Sequence, residues 1–437
     1  MTTHESWGRF PPSTPARIVD LTWTSAELPS NDLLLPYGLG RSYGDVPLNN
    51  DHTLLDTSRL NRFRSFDEAT GVLECEAGTT LDDILRVVVP KGWFLPVTPG
   101  TKFVTVGGCI ANDVHGKNHH RAGTFGRHVR SFELLRSDGA RLHCSPDENV
   151  DLFGATIGGL GLTGLITIAA IQLRRIESAD VMVERVPFRS LAEFDAISRA
   201  CDATHEYTVA WFDSFAGRDS RGIFFKGNHA AGRLPLAEVR SREGIRKRQL
   251  RLPHSKLVSP LLNSLSVRAF NATYFLANAK PRPQRLDYDP FFYPLDAVAN
   301  WNAIYGGAGF LQYQCVIPES AGLEPVGEIL DHAARSRLAS FLTVIKKFGA
   351  LPSPGLLSFP RAGTTVCLDF AARKMDVLLP MLERCDDVVE VAGGSVYPAK
   401  DARMSGARFR RFFPQWEELR ALADPRFSSS FWRRVMA

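Results

Sequence analysis

Two glycine-rich stretches near the N-terminus carry side chains suited to gripping an anion. The first reads Pro36-Tyr37-Gly38-Leu39-Gly40-Arg41-Ser42-Tyr43-Gly44-Asp45-Val46. The second runs from Pro99 through Gly100, Thr101, Thr105, Val106, Gly107 and Gly108 into Asn112-Asp113-Val114-His115-Gly116-Lys117. Glycine lets the backbone turn through positive φ and approach a ligand closely, so that consecutive N–H groups form an anion-binding nest. Arg41, Ser42, Thr101 and Thr105 add side-chain donors for phosphate. One such loop is as a rule a plain turn. Two of them, followed by a His-Gly-Lys, imply a diphosphate held from two sides, as in a dinucleotide cofactor.

A third glycine cluster, Gly159-Leu-Gly161-Leu-Thr-Gly164, matches the Rossmann fingerprint letter for letter. That fingerprint needs a helix to open within it and face the pyrophosphate. Here it runs into Leu165-Ile-Thr-Ile168 and Ile171-Gln-Leu173, which are strand-like. A NAD-type Rossmann domain is therefore not expected, and a tight turn beside the bound cofactor is.

The elements that must position these loops follow from local patterns. Leu33–Leu35 leads into the first loop as a short buried strand, and Val72–Ala77 is a second. Thr79 or Thr80 can cap a helix whose first turn holds Asp82 and Asp83, with Leu81, Ile84, Leu85 and Val87–Val89 as its apolar residues. Phe132–Arg136 and Arg141–Cys144 flank Asp138-Gly139, a hairpin signal. Beyond about Asp180, strands at Val181–Val186, Tyr207–Phe212, Gly309–Ile317, Ser340–Ile345 and Thr365–Phe370 alternate with helices at Leu191–Ile197, Pro325–Ala334 and Met375–Cys385. That alternation predicts an antiparallel sheet covered on one face, so the fold class is α+β.

A chain of 437 residues calls for more than one core, and 44% hydrophobic with 23% charged residues is a globular balance. The start lacks an apolar signal core and no apolar run reaches spanning length. The seven cysteines are scattered, and no pair has metal-ligand or redox-motif spacing, which predicts no metal and fits a reducing cytoplasm. A net charge of +5 does not argue for nucleic acid. The charge is uneven, however. From Arg233 to Arg285 basic residues such as Arg240, Arg242, Arg246, Lys247, Arg248, Arg251 and Lys256 interleave with Leu250, Leu252, Leu257, Val258, Leu261 and Leu262. This is either a solvated insertion or a contact with an anionic membrane surface.

Together these segments resemble flavoenzymes of the vanillyl-alcohol-oxidase class with its PCMH-type FAD domain, and within it the oxidase subunits of polyprenylphosphoryl-ribose epimerases. The resemblance runs over most of the chain. Its specific segments are Gly38–Asp45, Val104–Gly108, Asp113–His120, Gly161–Gly164, Ala210–Asp213, Ala308–Gln314, Leu357–Pro360 and Ala399–Asp401; the basic region 233–290 has little to align. It implies a two-lobed FAD-binding domain over 1–178, a substrate-binding α+β domain over 179–394 with a basic insertion at about 233–290, and a return to the first domain over 395–437. By it, Pro36 to Val46, Gly100, Thr105 to Gly108, Asn112 to His115, Gly164 and Tyr397 hold FAD. Lys117, Trp211, Gln312, Gln314, Lys346, Cys367 and Lys400 line the sugar-phosphate side. Lysines suit that side, because a lipid phosphodiester carries a fixed negative charge.

Many relatives in this class link FAD through a histidine in the first loop, where this chain has Arg41; FAD is accordingly expected to be non-covalent. A further departure is Phe291-Phe-Tyr-Pro-Leu-Asp296, in which Phe292 lacks a hydroxyl that the pattern offers. The activity the resemblance implies is removal of hydride from C2 of a polyprenylphosphoryl ribofuranose, as the first half of a ribose-to-arabinose epimerisation in cell-envelope synthesis. Lys400 is the expected base, with Tyr43 and His115 beside it. The expected partners are a short-chain-dehydrogenase-type keto-reductase and an anionic membrane, with the protein cytoplasmic and peripheral on the inner membrane. The alternative is an alditol or aldonolactone oxidase of the same fold, which needs neither the extra lysines nor the basic leucine-bearing segment.

Overall fold

The computed structural model describes residues 4–232, 249–251, 264–338 and 340–437. The first glycine-rich loop leaves a three-stranded parallel sheet in which Thr53–Asp56 lies between Arg17–Asp20 and Leu34–Tyr37. A five-stranded antiparallel sheet follows, in the order Phe63–Asp67, Val72–Glu76, Leu165–Gln172, Val129–Leu135, Arg141–Cys144. The hairpin about Asp138-Gly139 forms, with Gly139 at φ +89°. The Rossmann-like cluster is a turn that feeds the central strand of this sheet, not a helix start.

The helix Leu81–Val88 shows how sequence sets a local element. Thr80 caps it, accepting from the Asp83 N–H, while the Asp83 carboxylate accepts from Thr80 N–H. Such a box stabilises a helix end by about 1 kcal/mol. Leu81, Ile84, Leu85 and Val88 fall at helical spacing and are fully buried.

The largest element is an eight-stranded antiparallel sheet. Its order is Gln284–Asp287, Asp180–Phe188, Gly222–His229, Tyr207–Phe212, Ser340–Phe348, Gly363–Ala371, Phe310–Pro318, Ser395–Val396. Period-two alternation gives it two unlike faces. Leu311, Tyr313, Cys315 and Ile317 of one strand and Val366, Leu368 and Phe370 of its neighbour pack with Val326, Ile329, Leu330, Leu378, Met381 and Leu382 of the helices Glu324–Arg335 and Met375–Val391. Gln312 and Gln314, with Thr365 and Cys367, face the other way, toward a cavity.

Two expectations need correction. The helix expected to end at Cys385 continues to Val391, because Val389 still buries against the sheet. The region 233–290 is more than an insertion. Residues 233–248 and 252–263, which carry most of the basic leucine-bearing stretch, lie outside the described residues. Ser264–Asn278, however, is a helix, and Gln284–Asp287 pairs with Asp180–Val183 as the sheet's edge strand. Its polar composition disguised it, and charge is what protects an edge strand from pairing further. Arg285 there donates to Asp180 Oδ2 at 2.7 Å.

The C-terminal residues return to the first loop. The Leu34 N–H donates to the Arg426 carbonyl at 2.7 Å and Ser428 N–H to the Leu34 carbonyl at 2.9 Å. Arg434 donates to both oxygens of Asp45 and to Asp401, each at 2.8 Å. Among the described residues no helix is long and apolar enough to cross a membrane.

Candidate active site

Both glycine-rich loops open onto one cavity of about 680 Å³, roofed by the open face of the large sheet. The loops touch: a Cβ on Gly38 would come within 2.5 Å of Thr105 Oγ1. Gly40 has φ +59°, and a Cβ there would strike the Tyr37 hydroxyl, so only glycine fits. Among the described residues, the N–H groups of Gly38 through Ser42 donate to no protein acceptor. Arg41 lies over the Trp7 ring, 4.0 Å from its centroid, and its Nε is buried without a partner among the described residues. Asn112 Oδ1 is orphaned in the same way. At Gly100 a Cβ would meet nothing within 4 Å. Open donors, orphaned polar atoms and room beside the glycines are what a diphosphate-bearing cofactor requires.

His115 stands near the end of the second loop. Its ring lies 4.8 Å from Phe348 and 5.7 Å from Tyr397, and Tyr397 stacks on Phe359 at 4.5 Å. The Tyr397 hydroxyl donates to the Asn112 carbonyl at 2.9 Å. Burial holds the imidazole pKa well below its ordinary value, so the ring is neutral. The hydrogen bonds around it fix its tautomer. Thr365 Oγ1 donates to the Cys315 carbonyl, so it accepts from Gln314 Nε2 at 3.3 Å. The same amide nitrogen donates to His115 Nε2 at 3.0 Å. The one imidazole proton is thus on Nδ1, which faces Lys346 Nζ at 2.9 Å. Lys346 must offer a lone pair there while donating to the Gly116 carbonyl at 3.0 Å. It is a neutral amine, in keeping with a pKa pushed down to about 7 by burial.

Two further lysines share the cavity. Lys117 Nζ donates to the Phe292 carbonyl at 2.9 Å, and burial lowers it to about 8. Phe292, without a hydroxyl, contributes this carbonyl while its ring packs on Phe94 and Tyr207. Lys400 Nζ stands over the Tyr43 ring, 3.5 Å from its centroid. Burial lowers Lys400 too, with Asp369 opposing. Burial raises Asp369, which accepts from Gln312 Nε2 and from the Tyr305 hydroxyl. Burial pushes the Cys367 thiol up to about 12, so it stands protonated in the cavity.

Every residue expected on the sugar-phosphate side lines the cavity: Lys117, Trp211, Gln312, Gln314, Lys346, Cys367 and Lys400. Of those expected around the cofactor, Tyr37, Gly44, Asp45, Val106 and Asp113 sit behind its wall. Tyr37 donates to the Glu5 carbonyl, Asp45 binds Arg434, and a Cβ on Gly44 would collide with the Asp401 carbonyl. Asp113 is fully buried and accepts from Gly126 N–H, Ser353 and Ser358, tying the second loop to the segment before Phe359. These residues brace the two loops from behind. Sequence reading missed Asp369, Thr365 and Phe359. Asp369 and Thr365 flank Cys367 at two-residue spacing, so strand alternation alone would have put all three on one face.

Paired glycine loops, a histidine and lysines beneath an antiparallel sheet define an FAD-dependent oxidoreductase of PCMH type. A family model described as an FAD binding domain matches residues 26–145. The chain is 35% identical to the decaprenylphosphoryl-beta-D-ribose oxidase of Mycolicibacterium smegmatis, over 98% of this chain and 96% of that protein. It is 34% identical to an uncharacterized Streptomyces coelicolor protein, over 82% of this chain and 99% of the relative. A rat mitochondrial D-2-hydroxyglutarate dehydrogenase matches at 31% over 29% of this chain and 25% of its own. The chain belongs to the family of FAD-dependent oxidases that includes the Mycolicibacterium enzyme.

Proposed function

We propose that this chain oxidises the C2 hydroxyl of a polyprenylphosphoryl-β-D-ribofuranose to the 2-keto sugar, the first half of epimerisation to the arabinose form. The observation that carries this reading is the convergence of Lys117, Lys346 and Lys400 on the cavity that both glycine-rich loops share. A free alditol calls for no such cluster of lysines. A phosphodiester does, and its fixed charge restores the protonated state that burial has made costly.

FAD is held non-covalently, by the amides of Gly38 to Ser42, by Arg41 and by Asn112, with Gly100, Thr105, Gly107, Gly108, Gly164 and Tyr397 giving it room and support. When bound, it supplies a two-electron acceptor for the hydride that leaves C2. Lys400, with its pKa lowered toward neutrality, accepts the hydroxyl proton as the C–O bond becomes C=O. Asp369 is the counter-charge that keeps this amine titrating in the working range, and Tyr43 supports its ammonium form through its ring face. Gln312, Gln314 and Cys367 contact the sugar, while Lys117 and Lys346 face the phosphate. His115 orients Lys346 and excludes water.

A keto-reductase of the short-chain-dehydrogenase type would then return the ketone to the opposite configuration. The basic leucine-bearing stretch supports peripheral attachment to the cytoplasmic face of an anionic inner membrane. The division into residues 1–178, 179–394 and 395–437 remains our reading of the domains. The test is anaerobic mixing of the flavin-loaded protein with polyprenylphosphoryl-ribose and with free alditols. Flavin bleaching by the lipid sugar alone is expected; bleaching by alditols alone would replace this reading.

A further inference from the structure

We propose that the strands Asp180–Phe188, Tyr207–Phe212 and Gly222–His229, closed over by the helix Ser264–Asn278, form a trough for the first isoprene units of a prenylated phosphodiester. The inference rests on the oxidase reading above and adds a site for the hydrocarbon.

The cavity face of the large sheet changes character along the strand order. Its three strands nearest the C-terminal return carry Gln312, Gln314, Thr365, Cys367 and Lys346. The strands beyond them carry Trp211, Val209, Phe225 and Val183. The path is unbroken: Cys367 is in register with Val344, Val344 with Trp211, and Val209 with Phe225. Arg185 follows Phe225 in that row, its Nη1 held by Gln284 Oε1 at 2.8 Å.

The helix Ser264–Asn278 makes the opposite wall. Phe275 anchors it in a buried cluster with Trp211 and Ile223, and Asn271 Nδ2 donates to Asp213 Oδ1 at 2.9 Å. Phe270, Tyr274 and Asn278, spaced four apart, form one row that lines the cavity. The Tyr274 ring lies 4.8 Å from Trp211. An apolar sheet face under an anchored helix is normally filled by side chains, as interiors are close-packed. Here it borders open space continuous with the lysines that suit a phosphate. Hydrocarbon linked to that phosphate is the ligand such a wall rewards, each buried methylene adding several-fold in affinity.

Two kinds of measurement on FAD-loaded protein test this. KM and kcat are compared for farnesylphosphoryl-ribose and methylphosphoryl-ribose, in the native chain and in Val209→Asp and Phe225→Ala. The expected result is a KM roughly 10- to 100-fold higher for the farnesyl substrate in the variants, with kcat and the methyl substrate little changed. Calorimetry with farnesyl phosphate and methyl phosphate should show tighter binding of the farnesyl compound to the native chain and loss of that advantage in both variants. Equal KM effects on both substrates, equal binding of the two phosphates, or loss of FAD from both variants would overturn the trough. Failure of either sugar to bleach the flavin would sink the oxidase reading instead, and the calorimetry would still decide the trough.

Discussion

Lys400 Nζ lies 3.5 Å from the centroid of the Tyr43 ring, joining the C-terminal return to the first glycine-rich loop at the centre of the cavity. The backbone holds this pair in place, since the Tyr43 N–H donates to the Ala399 carbonyl at 2.8 Å. The first glycine-rich loop and Lys400 are thus fixed to one another before any substrate arrives. Such fixed geometry is what lets a proton acceptor act without reorganising.

Lys400→Ala should purify yellow, because the donors for the diphosphate reside in the two N-terminal loops. Its flavin reduction by substrate should slow by roughly 10²–10⁴-fold, the usual worth of a positioned acid or base. Lys400→Arg should recover little, since guanidinium does not give up its proton near neutral pH. Rapid-mixing spectroscopy decides the matter. A colourless Lys400→Ala protein would move the residue to the cofactor, and unchanged kinetics would remove it from the chemistry.

Denaturing the protein with acid or heat and filtering it should release all the flavin. Arg41 stands where relatives carry a linking histidine, and an arginine forms no such bond. His115, which lines the cavity, has both ring nitrogens engaged by Gln314 and Lys346. Colour retained on the polypeptide would refute this and make His115 the first residue to map.

Much of this site was legible in the sequence, and the reasons are local. The Gly38–Ser42 loop, the Thr80 cap and the Thr365–Phe370 strand each follow from spacing within a few residues. What spacing could not give were pairs made by folding. Asp369 acquires meaning from Lys400 and Gln312, and Lys346 becomes a neutral amine through Thr365, Gln314 and His115. The edge strand Gln284–Asp287 was hidden for the opposite reason, since its polar residues look like loop until Asp180–Val183 pairs with it.

The stretch from Arg233 to Arg285 should bind anionic vesicles. Its interleaved arginines and leucines supply both charge attraction and apolar insertion. In a sedimentation assay, binding should weaken as salt is added, because surface charges are screened over about 8 Å at physiological ionic strength. Equal binding to neutral vesicles, or none, would leave it a solvated segment.

Arg434→Ala should lower stability by about 2–3 kcal/mol near neutral pH, less than a fully buried pair loses because the guanidinium is 26% exposed. It strips the partner from Asp45 and Asp401, both nearly inaccessible. Burial already raises Asp45, and without Arg434 its folded-state pKa rises further above the unfolded value. An ionised Asp45 then opposes folding, so the deficit should shrink as pH falls and the carboxyl protonates. Denaturant midpoints at acidic and neutral pH measure this; a deficit that grows with acidity would contradict it.

Asp369→Asn should shift the pH dependence of flavin reduction in a direction fixed by charge. Lys400 acts as a base only when it has lost its proton, so the rate should rise with pH through its pKa, which burial brings down to about 8. Asp369 carries the negative charge that opposes this lowering, because a nearby carboxylate favours the ammonium form. Replacing it with the neutral amide removes that support and lets the Lys400 pKa fall further. The rising limb should therefore move to lower pH, while the Gln312 contact survives as an amide–amide bond. The native limb belongs to the Lys400–Asp369 pair and not to either group alone, so it is the displacement between the two proteins that carries the information. Rapid-mixing measurements with saturating substrate across the neutral and alkaline range provide it. A limb that stays in place would show that Asp369 only packs the site, and one displaced to higher pH would exclude it as the counter-charge of Lys400.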